Sequence, residues 1–204
     1  MNTEVALEVL AEIPLFPSST VGPYRRSDYW DLPDEPRCEL IYGRFYLVAP
    51  PRPLHQIVGL LLWRWLDDLA VAGGGQALAA PVGITLADHS VVEPDVIYLA
   101  RRATPAEIQG EIAGVPDLLI EVLSPGSVRR DRSLKLRLYA ETGVPEYWIV
   151  APTERNVDFL VNRGGRFEVA VPEGNLYRSP VLSGVTLDLA ELWRQVDLRL
   201  APES

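Results

Sequence analysis

The chain has one cysteine, one lysine and two histidines among 204 residues. A single thiol, Cys38, excludes an internal disulfide and any cysteine-rich zinc site. The longest apolar runs, such as 57–62, fall far short of the about 20 residues that span a bilayer. The N-terminus (MNTEVALEVLAE) lacks the basic flank of a signal peptide, so a bacterial-type cytoplasm is the expected location, with no membrane partner. Gly-x-Ser-x-Gly, Cys-x-x-Cys, His-Glu-x-x-His and Gly-x-Gly-x-x-Gly are all missing. Serine hydrolase, zincin and dinucleotide readings thereby lose their main support. Positive charge is also short: 19 basic against 28 acidic residues give a net charge of −9. A protein that coats DNA or RNA is basic, which disfavours that class. An enzyme that meets nucleic acid briefly, or through a metal, stays open.

What is present is a globular composition, 48% hydrophobic and 23% charged. A chain of this length hides roughly 70% of its unfolded surface, enough for one ordinary domain. All the basic residues but Lys135 are arginine. Arginine cannot give up its proton, whereas lysine is a compact charge that can be tuned. A bias toward arginine explains the many; it does not explain the exception.

Residues 1–37 read as an irregular N-terminal arm, with one possible helix at 3–12 followed by prolines at 14, 17, 23, 33 and 36. Residues 38–204 read as a single domain. Segments 38–41 and 44–48 flank Tyr42-Gly43 as a hairpin. Residues 54–72 form a long apolar-rich helix stopped by Gly73-Gly74-Gly75. One bent or two short strands occupy 76–87, around Pro81, and a strand interrupted by Pro94 occupies 91–100. A connector with a helical turn at 105–110 follows. Residues 117–123 (DLLIEVL) are a nearly continuous apolar run, the signature of a central strand buried on both faces. A helix at 127–142, with Ser127 as N-cap and Gly143 as its stop, leads to a strand at 146–151. A hairpin at 156–171 and a helix at 187–196 close the chain. The third strand, the helix and the fourth strand form a parallel βαβ unit, and the earlier strands can pair antiparallel. The class is mixed α/β or α+β, a mixed sheet carrying helices.

Two acids sit in apolar strands: Asp95, and Glu121 within Leu-Leu-Ile-Glu-Val-Leu. A buried carboxylate is costly unless it is paired or holds a cation. One such acid is best explained by an arginine or a backbone amide. Two on neighbouring strands repel, and a shared divalent metal becomes the simpler account. Glu93 shares a face with Asp95 if Pro94 leaves the alternation intact. Asp131, Lys135 and Tyr139 lie along one helical stripe. Either Lys135 merely pairs with Asp131, or the stripe faces the end of the Glu121 strand and delivers the amine to the carboxylates. Leu134 and Leu138 then supply the core face. His55 reads as a cap or a core residue, His89 as surface and Glu39 as a strand-edge charge. Arg129, Arg130, Arg132 and Arg137 are either a local positive patch or an ordinary solvated face. Trp30, Trp63, Trp65 and Tyr46 read as core more readily than as an interface.

The stretch PDLLIEVLSPGSVRRDRSLKLRLYAETGVPEYWIVAP, residues 116–152, resembles the signature of the Uma-two family of putative restriction endonucleases, a branch of the PD-(D/E)XK nuclease superfamily. CELIYGRFYLVAPP at 38–51, His55 in LHQ, and VVEPDVIYL at 91–99 fit the same layout. The resemblance spans about residues 38–190 and leaves the first 25 as an added arm. It implies a restriction-endonuclease-like core of helix-strand-strand-strand-helix-strand, with the C-terminal hairpin and helix added. It implies Asp95 as the aspartate of the PD motif and Glu121 as the acid of (D/E)-x-K. The third position of that motif is Leu123, and Lys135 stands in from the next helix. Asp95, Glu121 and Lys135 are thus the expected catalytic set. Asp95, Glu121 and the Val122 carbonyl are the expected metal ligands for Mg²⁺ or Mn²⁺. Glu39, His55, Glu93 and Tyr139 are the expected supporting residues. The implied activity is metal-dependent cleavage of DNA, met transiently, with a homodimer to place two sites. A catalytically inactive interaction module on the same fold is the alternative, and a phosphoesterase acting on small nucleotides a third.

Overall fold

Two prolines decide how the strands are shared out. The structure, a computed structural model, describes residues 21–201 other than Asp34, Pro125 and Arg129. The helix expected at 3–12 and the first of the four clustered arginines lie outside the described residues. The chain enters through a short helix, α1 (Arg26–Trp30), and a hairpin of β1 (Cys38–Ile41) and β2 (Arg44–Leu47). Tyr42 and Gly43 turn the hairpin with φ of 50° and 71°, the left-handed pair whose twist matches that of the strands. At Gly43 a Cβ would lie 2.4 Å from the Gly22 carbonyl oxygen, so the incoming chain also demands glycine there.

The long helix α2 (Pro53–Gly73) starts on proline and ends at Gly74, whose φ of 79° closes it. Its stripe Val58, Leu62, Leu66 and Ala70 is buried. β3 (Gln76–Ala79) and β4 (Ile84–Ala87) follow, then β5 (Ser90–Val92) and β6 (Val96–Leu99). The first pair was expected as one bent or two short strands, the second as a single strand interrupted by Pro94. Instead the breaks at Pro81 and Pro94 pass the chain between two sheets: β3 and β6 join a six-stranded sheet, β4 and β5 a five-stranded one. Proline has no N–H for a ladder, so it fits these crossings. After α3 (Pro105–Gln109), β7 (Ile112–Ala113) pairs parallel with β4, a strand too short to leave a pattern in the sequence.

β8 (Leu118–Val122) and β9 (Glu146–Ala151) are parallel neighbours, as the βαβ reading requires. The six-stranded order is β11-β10-β9-β8-β6-β3, with β10 (Asn156–Asn162) and β11 (Phe167–Ala170) as the expected hairpin. β12 (Leu176–Arg178) and β13 (Thr186–Asp188) pair with each other and precede α5 (Leu189–Leu200). That last helix starts later than expected because Thr186–Asp188 is drawn into strand pairing; the Asp188 carboxylate then caps it from the Glu191 amide at 3.1 Å.

Period two sorts the central side chains. Leu118, Ile120, Val122, Trp148 and Val150 pack toward α2, together with Trp63 and Trp65. Leu119, Tyr147 and Ile149 pack on the opposite side, and Glu121 shares the parity of Leu119. Tyr46 is buried too, and Trp30 is about half exposed beside Gly83. Between β8 and β9 the expected α-helix is only partly α. It begins as a π-helical turn, Arg130–Lys135, and continues as α4 (Leu136–Thr142), ended by Gly143 at φ 88°. The Ser127 hydroxyl accepts from the Ser124 amide at 3.0 Å, so it caps a tight turn ahead of the helix. Among the described residues no helix is long and apolar enough to cross a membrane.

Glu146 pins the C-terminal addition to the sheet. Its buried carboxylate accepts from Trp148 Nε1 at 2.6 Å, from the Tyr177 hydroxyl at 2.7 Å and from the Ser179 hydroxyl. Glu146→Ala strands buried donors and is expected to cost roughly 3 kcal/mol in urea unfolding, with Glu146→Gln costing less.

Candidate functional site

Four elements and the link between β5 and β6 bring charged or polar groups to one cavity of about 180 Å³. β1 brings Glu39, the link brings Glu93 and Asp95, β8 brings Glu121 and Val122, the π-turn brings Arg130, Asp131 and Lys135, and α2 brings His55. Tyr139 reaches the same carboxylate from α4. At the centre is Lys135. Its Nζ lies 2.6 Å from Glu121 Oε1, 2.7 Å from Glu39 Oε1 and 3.8 Å from Asp131 Oδ1. The Tyr139 hydroxyl donates to the same Glu121 oxygen at 2.9 Å. Glu39, Glu121, Asp131 and Lys135 are each at most 4% exposed. The stripe of Asp131, Lys135 and Tyr139 therefore faces the Glu121 strand, and the pair with Asp131 is its weakest contact.

Asp95 sits one step before Val96, which pairs with Ile120, so the register sets it opposite Glu121. Its Oδ2 accepts from the Val122 amide at 2.7 Å and lies 3.1 Å from His55 Nε2. His55 is thus neither a helix cap nor a satisfied core residue: it orients Asp95, and its Nδ1 is buried without a partner. Glu93 lines the cavity, but its carboxylate turns to Arg37 and to the Tyr29 hydroxyl, 2.9 Å away. The break at Pro94 accounts for that divergence from Asp95. His89, expected as plain surface, is half-buried, stacked on Tyr42 at 5.8 Å between centroids.

Glu39 is not an edge charge. β1 is paired on both sides, by β2 and β5, and Glu39 Oε1 also accepts from the Glu93 amide at 2.8 Å. Of the clustered arginines, the three described ones do not form a free cationic face either. Arg130 turns inward, with Nε 3.3 Å from Glu39 Oε2 and a hydrogen bond to the Leu47 carbonyl at 3.0 Å. Arg132 pairs with Asp158 and Arg137 with Glu141, at 2.6 and 2.7 Å. Arg130 is the site residue that sequence reasoning missed; its place in the turn that also carries Asp131 and Lys135 was the available signal.

Burial is the largest force on Glu121 and raises its pKa; Lys135 opposes this, and Asp131, Asp95 and Glu39 reinforce it. Burial works against the charge on Lys135, but Glu121, Glu39 and Asp131 outweigh it and push the amine above its ordinary range. The amine is the member of the pair that keeps its proton. Glu39, Glu93, Asp95, Glu121 and Asp131 face three cations, Arg37, Arg130 and Lys135, leaving an excess of two negative charges. Among the described residues no three His, Cys, Asp or Glu side chains form a ready metal cage. Magnesium does not need one: it binds through one or two carboxylates and keeps most of its waters. That formal excess, counted with every acid ionised, fits a divalent cation held by Asp95 and Glu121, and the raised Glu121 pKa means that such a cation would have to displace a proton there.

Strands β6, β8 and β9, with Asp95 just ahead of β6 and Glu121 within β8, flanked by α2 and α4, are the layout of a restriction-endonuclease-like fold. A solved structure described as a putative nuclease belonging to DUF820, from Anabaena variabilis, superposes with a TM-score of 0.69 at 22% identity, covering 85% of this chain and 99% of that one. The family model described as "Uma2: Putative restriction endonuclease" matches residues 26–190, and the chain belongs to that family. No curated protein matches it.

Two outcomes test this geometry. Lys135→Ala leaves Glu39 and Glu121 buried without their cation and is expected to cost roughly 3–5 kcal/mol, whereas Arg132→Ala on the exposed pair costs under about 1 kcal/mol by the same chemical denaturation. Burial, then Glu93 and Glu39, raises the Cys38 thiol pKa from 9.0 to about 11. Native Cys38 is therefore expected to react with Ellman's reagent at pH 8 roughly 100-fold more slowly than in the unfolded chain.

Proposed function

We propose that the chain is a divalent-cation-dependent DNA endonuclease of the cytoplasm. The observation that supports this reading is the Lys135 ammonium shared by Glu121 and Glu39 beside Asp95. Phosphodiester hydrolysis needs a water nucleophile, neutralised phosphate charge and a stabilised leaving oxygen. Mg²⁺ or Mn²⁺, when bound, supplies charge neutralisation and a more acidic water. Asp95 and Glu121 hold it, with the Val122 carbonyl as a further oxygen. Lys135, kept protonated, donates to the developing phosphate charge and orients the attacking water; a charged amine cannot be the base. His55 fixes Asp95, and Tyr139 fixes Glu121. Contact with DNA is transient and salt-sensitive on a chain this acidic. A homodimer places one site on each strand.

The closure of the site favours a second reading, an interaction module that has lost cleavage. Lys135 and Glu121 satisfy each other in a cavity of about 180 Å³. Nicking of supercoiled plasmid separates the two. Cleavage that requires Mg²⁺ or Mn²⁺ and falls about 100-fold or more in Asp95→Asn and Glu121→Gln supports the nuclease. Activity that survives Glu121→Ala removes this site from the chemistry, and a protein that binds neither ion in calorimetry supports the module.

A further inference from the structure

Binding of a cation by Glu121, as proposed above, would draw on the charge of the nearest counter-ion of Lys135, whose contacts with Lys135 and Tyr139 are both made through Oε1. Lys135 is 1% exposed, so its amine loses more from a weakened partner than a surface lysine would. Asp131 is 3.8 Å away, beyond hydrogen-bond distance. Asp95 Oδ2 is already engaged by the Val122 amide and His55. Glu39 remains, at 2.7 Å.

We infer that Glu39 is the positioning residue of Lys135: it retains the amine in the site while Glu121 is shared with the cation. Three features suit it to this. Its strand is paired on both sides, so its backbone is fixed. The Glu93 amide holds Oε1 at 2.8 Å, so the carboxylate does not follow the ion. Its Oε2 is buried and makes no hydrogen bond, lying 3.3 Å from Arg130 Nε, so acceptor capacity is in reserve. The two carboxylates around the amine thus have different tasks: Glu121 is shared with the ion, and Glu39 belongs to the lysine. This inference rests on the metal-dependent reading.

The test uses Glu39→Gln in the full chain, with Glu93→Gln as the control that removes one charge from the same cavity without touching Lys135. Because Lys135 is the only lysine, [¹⁵N]lysine labelling gives a single side-chain ammonium resonance. In the wild type that resonance is expected to shift yet remain observable at saturating Mg²⁺. In Glu39→Gln it broadens beyond detection once Mg²⁺ is added, and in Glu93→Gln it stays. Single-turnover cleavage at saturating Mg²⁺ falls about 10- to 100-fold in Glu39→Gln. Calorimetric Mn²⁺ affinity falls alike in the two variants, since each loses one charge. A persistent ammonium signal in Mg²⁺-loaded Glu39→Gln overturns the inference. So does a loss of Mn²⁺ affinity as deep as that of Asp95→Asn, which makes Glu39 a ligand. Wild-type protein that binds no Mn²⁺ removes the proposed function and this inference with it. Should Glu39→Gln fail to fold, Glu39→Asp keeps the charge, shortens the reach and is expected to show the same broadening.

Discussion

A single ammonium ion, withdrawn from water, ties this molecule together. Its two closest partners arrive from different sheets: Glu39 from the five-stranded sheet and Glu121 from the six-stranded one. A buried cation tolerates neither a missing partner nor a lengthened contact. The two sheets are therefore locked at the point where the candidate chemistry sits. The π-helical turn makes this possible, since it directs Arg130, Asp131 and Lys135 into one cluster.

Glu121 and Glu146 show why a buried acid in a strand is not by itself a site. Both lie in central, fully covered strands. Glu146 is met by an indole, a phenol and a serine hydroxyl, all neutral donors, and so serves as a pin between the sheet and the C-terminal strands. Glu121 stands among other carboxylates whose charge two neighbouring cations, Lys135 and Arg130, only partly offset. Excess charge in a cavity, rather than burial, separates the functional candidate from the structural one.

Much of this was legible in the chain. The long periodic helix α2, the apolar strands β8 and β9, and the two hairpins each carry a strong local pattern. Asp95 and Glu121 stood out as acids in apolar strands, and Lys135 stood out by count. The burial of Glu39 was not legible, because CELIYG says nothing of the distant lysine and arginine that enclose it. Nor was the split of β3 from β4 and of β5 from β6, since local alternation gives a strand but not its sheet. Arg130 points inward while Arg132 and Arg137 face solvent. Identical residue types a few positions apart differ only through the winding of one turn.

The burial of the chain's sole lysine has a practical side. Acylating reagents, crosslinkers and surface-coupling chemistries directed at primary amines find no side-chain target on the exterior.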